Sequence, residues 1–187
     1  YRGHGLEPIL IKGWAAARNY SDDKVRTSSD IDLAFAASDF DKALEIARGG
    51  EFKGLVLDIH RALKHLDTLN WDDIYDRSQL VELGKALVRI PSAEDHLRIL
   101  CVHWLIDGGW FRERLWDIHY AVDRRPSDFD WSKCLDVVSP NRRGWVICCI
   151  GLAHHYLGLN VDDLAFRNGA VELPSWLVKA VEKGWKS

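Results

Sequence analysis

Two aspartates alternate with apolar residues in the run Ser28-Ser29-Asp30-Ile31-Asp32-Leu33-Ala34-Phe35, and this run constrains the fold most strongly. In a β-strand, residues two apart point to the same face and lie about 7 Å apart along the chain. Two carboxylates on one face of a largely buried strand repel each other and lose hydration, so a positive charge must compensate them. A divalent metal ion is a common compensation, and Mg²⁺ prefers carboxylates combined with substrate phosphates. The run therefore favours phosphoryl or nucleotidyl transfer.

Apolar runs on both sides of this segment predict two further strands, over 9–11 and 54–59. Helix-forming residues and apolar periodicity predict helices over 14–20 and 39–48, between the strands. The order of these elements predicts a small sheet with flanking helices.

The pattern becomes mainly helical after residue 65, with one brief strand predicted over 86–90. We therefore predict an α+β protein with two parts. A mixed sheet with flanking helices occupies residues 1–65, and a mainly helical region occupies residues 66–187.

Composition restricts the partners and the setting of this chain. The net charge is −3 over 187 residues, and no cluster of lysine and arginine is larger than a pair. A polymeric nucleic-acid partner is disfavoured, because such proteins usually present a basic face. The longest apolar stretch, residues 145–153, is too short to span a membrane. The four cysteines have neither zinc-ribbon nor secreted-disulfide spacing, which predicts a reducing, cytoplasmic setting.

Several short motifs occur in a fixed order over residues 9–122. They are Leu10-Ile11-Lys12-Gly13, Arg26 placed four residues before Asp30, Asp30-Ile31-Asp32-Leu33, Leu57-Asp58-Ile59-His60, His103 and Arg114-Leu115-Trp116-Asp117-Ile118. In this order they resemble the bacterial uncharacterised nucleotidyltransferase family of the polymerase β-like nucleotidyltransferase superfamily. Each motif is weakly specific alone, whereas the ordered set is fairly specific.

The resemblance implies a minimal nucleotidyltransferase sheet and an enzyme that moves a nucleoside monophosphate from an NTP to an unidentified acceptor hydroxyl or similar group. Metal ligation and catalysis are implied for the three carboxylates of Asp30, Asp32 and Asp58. Asp58 would also help to deprotonate the acceptor. The metal would be Mg²⁺, as two ions, with Mn²⁺ as an alternative. Nucleotide binding is implied for Lys12, Gly13, Arg26 and Ser29. A position along the acceptor cleft is implied for His60, His103 and Asp117.

Two departures from the family pattern support a second hypothesis. Trp14 follows Gly13, where the broader superfamily often has a serine that touches phosphate, and only 26 positions separate Asp32 from Asp58. The alternative is a catalytically weak or inactive binding module of the same fold, antitoxin-like or regulatory.

Each predicted site residue also has a purely structural alternative. An Asp-x-Asp pair or Asp58 can cap backbone amides at the end of a strand. Lys12 can be a solvated lysine, and Arg26 can pair with Asp22 or Asp30. His103 and Asp117 can form a buried polar pair that holds two helices in register.

Overall fold

The computed structural model describes residues 1–21, 24–63, 66 and 69–186, and it divides into two compact units, Tyr1–His96 and Leu97–Ser187. The first unit contains a five-stranded mixed sheet with flanking helices, and the second contains helices. The predicted α+β class is therefore confirmed.

The sheet of the first unit has the strand order β3-β2-β1-β5-β4. Its strands are β1 (Ile9–Leu10), β2 (Ile31–Phe35), β3 (Leu57–Arg61), β4 (Gln79–Leu83) and β5 (Ala86–Ile90). The pairs β1–β2 and β4–β5 are antiparallel, whereas β2–β3 and β1–β5 are parallel. The sheet is therefore mixed, and β2 lies between an antiparallel and a parallel neighbour.

Four helices accompany these strands among the described residues: α1 (Gly13–Ala17), α2 (Phe40–Arg48), α3 (Trp71–Arg77) and α4 (Ala93–Ile106). The first turn of α3 is capped by Asn70, whose side-chain oxygen accepts a hydrogen bond from the backbone N–H of Asp73 at 2.9 Å. The hydroxyl oxygen of Ser92 accepts from the backbone N–H of Asp95 at 3.2 Å and caps α4 in the same way.

The sheet extends beyond the predicted domain boundary at residue 65. Strands β4 and β5 form a hairpin around the two-residue loop Gly84-Lys85, and β5 pairs with β1 through Ile9 and Arg89. Glycine at the first loop position suits this turn, because its φ is +61°. The α/β unit therefore runs to His96. The strand predicted over 86–90 is present as β5, whereas β4 was not predicted.

The two faces of the sheet differ in character. Ile31 and Leu33 point to one face and pack with the buried residues Leu10 and Ile90, and we call this side the apolar face. Asp32 lies between Ile31 and Leu33 in β2 and therefore points to the opposite side, which we call the site face.

The second unit continues α4 and adds α5 (Leu115–Asp123), α6 (Trp131–Leu135), α7 (Pro140–Leu157), α8 (Arg167–Val171) and α9 (Ser175–Lys186). The longest of these is α7, which begins after the cap Ser139 and ends at Gly158 with a φ of +71°. Buried residues of α7 pack against α5 and α8. Among the described residues, no helix combines the length and the apolar character needed to cross a bilayer.

Candidate functional site

The register between β2 and β3 brings two carboxylates together on the site face. The strands are parallel, and Asp32 pairs with Asp58 while Ala34 pairs with His60. Because side chains alternate along a strand, Asp58 and His60 share the face that carries Asp32.

An imidazole lies between the two carboxylates. The Nε2 atom of His60 is 3.1 Å from Oδ1 of Asp32 and 3.0 Å from Oδ2 of Asp58. One potential ligand atom from each of these three residues lies within 4.8 Å of the other two, so the group could hold a metal ion. Carboxylate oxygens and an imidazole nitrogen form a common ligand set for divalent metals.

Lys12 provides a positive charge directly beside this group. Its Nζ lies 2.5 Å from Oδ1 of Asp32, and its side chain is 9% exposed. The backbone of Lys12 has a φ of 57°, which costs a residue other than glycine about 1–3 kcal/mol. A glycine would adopt this conformation without strain. The lysine therefore occupies a conformation that its side chain disfavours, and there it contacts Asp32.

Burial and charge give the two aspartates different environments. The side chain of Asp32 is 6% exposed, whereas that of Asp58 is 51% exposed. Burial by itself would raise the pKa of Asp32, but hydrogen bonds from His60 and Lys12 outweigh burial and lower this pKa. Asp32 is therefore ionised at neutral pH. Asp58 leaves one side of the group open to solvent, from which an ion or a substrate could enter.

Gly13 lies beside a second polar group, which contains Ser28 and Arg26. A Cβ atom at Gly13 would lie 2.5 Å from Oγ of Ser28 and 3.6 Å from Nη1 of Arg26, so only glycine fits without a shift. The Arg26 guanidinium also donates to the backbone carbonyl of Thr27 at 2.7 Å. Gly13 and Arg26, both predicted to bind nucleotide, are therefore close in space. Ser28, which we did not predict, also lies beside Gly13.

Asp30 is not part of the group formed by Asp32, Asp58 and His60. It precedes the first residue of β2, so strand alternation does not place it beside Asp32. The Ser28 hydroxyl donates to the backbone carbonyl of Asp30 at 2.9 Å, and its oxygen is 3.4 Å from Oδ1 of the same residue. Ser29 is exposed. Asp22, an alternative partner for Arg26, lies outside the described residues.

The remaining predicted residues, His103 and Asp117, belong to the second unit. Nε2 of His103 is 3.2 Å from Oδ2 of Asp107, one helical turn further along the chain. Asp117 is buried within α5, with 3% of its surface exposed.

A cavity of about 440 Å³ opens on the apolar face, and we did not predict it. Trp14, Ile31 and Leu33 are among its lining residues. Ile31 and Leu33 flank Asp32 in the chain, so the cavity and the group of Asp32, Asp58 and His60 lie on opposite sides of β2.

The ammonium of Lys12 competes with any cation at Asp32, which leads to a first prediction. We expect Lys12→Met to bind Mn²⁺ at least about tenfold more tightly than the wild type, because the change removes a nearby positive charge and keeps the apolar stem. Calorimetric titration of both proteins measures the difference. Lys42→Met is the matched control, because Lys42 is exposed on α2 and donates to the carbonyl of His4. Unchanged or weaker binding by Lys12→Met would contradict the competition.

Comparison of the chain with models of known protein families, with characterised proteins and with solved structures finds no match.

Proposed function

We propose that this protein is a divalent-metal-dependent nucleotidyltransferase, and that its first unit is a nucleotidyltransferase-type sheet. One observation carries the proposal: carboxylates from two adjacent parallel strands flank one imidazole, with a buried lysine beside them. The order of elements agrees with it, since a strand is followed by a glycine turn, a short helix and then the two aspartate-bearing strands.

The residues of the group fit a divalent metal such as Mg²⁺ or Mn²⁺. Asp32 and Asp58 contribute two negative charges and Lys12 contributes one positive charge, so a divalent cation would leave the centre positive. A positive centre attracts a triphosphate. When bound, the metal would neutralise charge on the phosphates and make the acceptor hydroxyl more acidic. Because Asp30 is outside the group, its three ligands support one ion rather than the two expected from the resemblance.

The reaction would transfer a nucleoside monophosphate to an acceptor. The acceptor oxygen would bond to the α-phosphorus of the NTP, and the bond from that phosphorus to the bridging oxygen would break. Pyrophosphate would leave with the bonding electrons, and the acceptor proton would pass to the exposed carboxylate of Asp58 and then to water. Lys12, released from Asp32, and Arg26 would donate to phosphate oxygens and stabilise the developing negative charge.

The experiment is an incubation of the protein with a divalent cation and each α-labelled NTP. Sugars, peptides, proteins and small hydroxyl compounds serve as acceptors. We expect pyrophosphate release and a labelled acceptor from the wild type, and a loss of about a hundredfold or more in Asp58→Asn. Asp72→Asn, at an exposed position in α3, is the control. Absence of NTP binding by the metal-loaded wild type in calorimetry would contradict the proposal.

A non-catalytic role of the same fold is the second candidate. It is favoured by the contact between Lys12 and Asp32, which occupies the carboxylate that a metal needs. Such an antitoxin-like or regulatory module would bind an NTP without releasing pyrophosphate. The incubation and the calorimetric titration with NTP together separate the two candidates, because the first measures turnover and the second measures binding.

A further inference from the structure

The group of Asp32, Asp58 and His60 contains a nitrogen donor, and this has a consequence for the identity of the metal. Mg²⁺ is a hard ion that selects oxygen ligands, whereas imidazole suits first-row transition ions. We infer that His60 is a direct metal ligand and that the centre selects Mn²⁺ over Mg²⁺. The inference deepens the proposed function and rests on its metal centre.

The first support comes from distances. Two ligands at right angles around an ion, each bonded at about 2.1 Å, are separated by about 3.0 Å. The Nε2 atom of His60 lies 3.1 Å and 3.0 Å from one oxygen of each aspartate. The imidazole nitrogen therefore already lies at the spacing of a ligand adjacent to each carboxylate, and metal binding would replace its hydrogen bond to Asp32.

The second support comes from the strand positions. Asp58 and His60 are two residues apart in β3, and both point to the site face. Backbone pairing with β2 fixes the positions from which both side chains project, so the sheet places the imidazole and the two carboxylates on one face. The side chain of His60 is 23% exposed, so the ring is partly covered, while Asp58 stays open to solvent.

The choice of Mn²⁺ follows from the mixture of donors. Two carboxylates and one imidazole leave coordination positions for phosphate oxygens or water. Mn²⁺ suits carboxylate ligands and, as a first-row transition ion, takes a nitrogen ligand more readily than Mg²⁺ does. Mg²⁺ would gain little from the nitrogen and would have to give up a water for it. The preference should therefore depend on the imidazole rather than on the two carboxylates.

The test is calorimetric titration of the metal-free protein with Mn²⁺ and, separately, with Mg²⁺. We expect the wild type to bind Mn²⁺ at least tenfold more tightly than Mg²⁺. In His60→Gln, which replaces the nitrogen by an amide oxygen, we expect the preference to fall to threefold or less. His4→Gln is the matched control, because His4 is an exposed histidine whose Nε2 atom contacts the carboxylate of Glu51 at 2.7 Å. Its metal binding should equal that of the wild type.

A spectroscopic measurement on the wild type alone keeps the inference testable if His60→Gln fails to fold. Electron spin echo spectra of the Mn²⁺-loaded protein should show modulation from a directly coordinated imidazole nitrogen. Its absence would overturn the inference. Equal affinity for the two ions, or a Mn²⁺ preference that survives in folded His60→Gln, would also overturn it and leave the proposed function standing. Absence of binding by either ion would overturn both.

Discussion

Replacing Asp32 by asparagine is expected to lower nucleotidyl transfer by about a thousandfold, because it removes the buried carboxylate of the proposed metal centre. The amide keeps an oxygen that can accept hydrogen bonds from Lys12 and His60, so the fold should survive. Metal affinity should fall together with activity, since the ion loses a charged ligand. Calorimetry with Mn²⁺ and the rate of pyrophosphate release measure the two effects.

Asp41→Asn is the matched control for this substitution. Asp41 lies in the first turn of α2 and is exposed, so its change removes the same charge from the same unit without touching the site face. We expect wild-type activity and metal binding from the control. If Asp32→Asn retained wild-type affinity for Mn²⁺, the metal centre would not include Asp32, and the proposed function would lose its main support.

The wild type and Asp32→Asn should also differ in how their stability depends on pH. The pKa of Asp32 in the folded protein lies below 3.8, its ordinary value. Stabilisation from the ionised carboxylate is therefore fully present above pH 3.8 and is lost as the pH falls through the lower, folded pKa. The difference in the free energy of unfolding between wild type and Asp32→Asn should be largest at neutral pH and should shrink in acid. Urea unfolding over this range measures it, and a constant difference would contradict the interpretation.

Local pattern predicted much of the candidate site. Alternation along a strand placed Asp58 and His60 on one face, and the described structure has them there. The same rule failed for Asp30, because alternation holds only inside a strand and β2 begins at Ile31. Ser28, two residues earlier, bonds to the backbone of Asp30 and favours a bend there. That hydrogen bond depends on loop geometry, which composition does not specify.

The features that we could not predict from the sequence depend on contacts between strands that are distant in the chain. A lysine at the end of a strand is ordinarily solvated, and the burial of Lys12 follows only from the position of Asp32 across the β1–β2 pair. Strand β4 was missed for a different reason. Apolar and polar residues alternate imperfectly along β4, and the better signal of a hairpin was the two-residue loop that begins with Gly84. That hairpin explains why the α/β unit extends to His96 rather than residue 65.

Replacing Gly151 by alanine is expected to destabilise the second unit by about 3 kcal/mol, because the new methyl group has no space. Gly151 lies in α7, where a Cβ atom would overlap the backbone carbonyl oxygen of Ala170 and lie 2.7 Å from Cδ2 of Leu173. Backbone in α8 cannot rotate away as a flexible side chain could, so α7 and α8 would have to separate. We expect the melting temperature to fall by about 6–12 °C, as measured by circular dichroism.

Gly144→Ala is the control, because it makes the same chemical change in the same helix. No heavy atom outside its local backbone lies within 4 Å of a Cβ at Gly144. Alanine has the higher helix propensity, so this variant should gain about 0.5–1 kcal/mol. Stability changes of opposite sign for Gly151→Ala and Gly144→Ala would show that close packing between α7 and α8, rather than helix propensity, determines the effect at position 151. If alanine stabilised the protein equally at both positions, α8 would not pack against α7 as described, and the helix contacts of the second unit would be wrong.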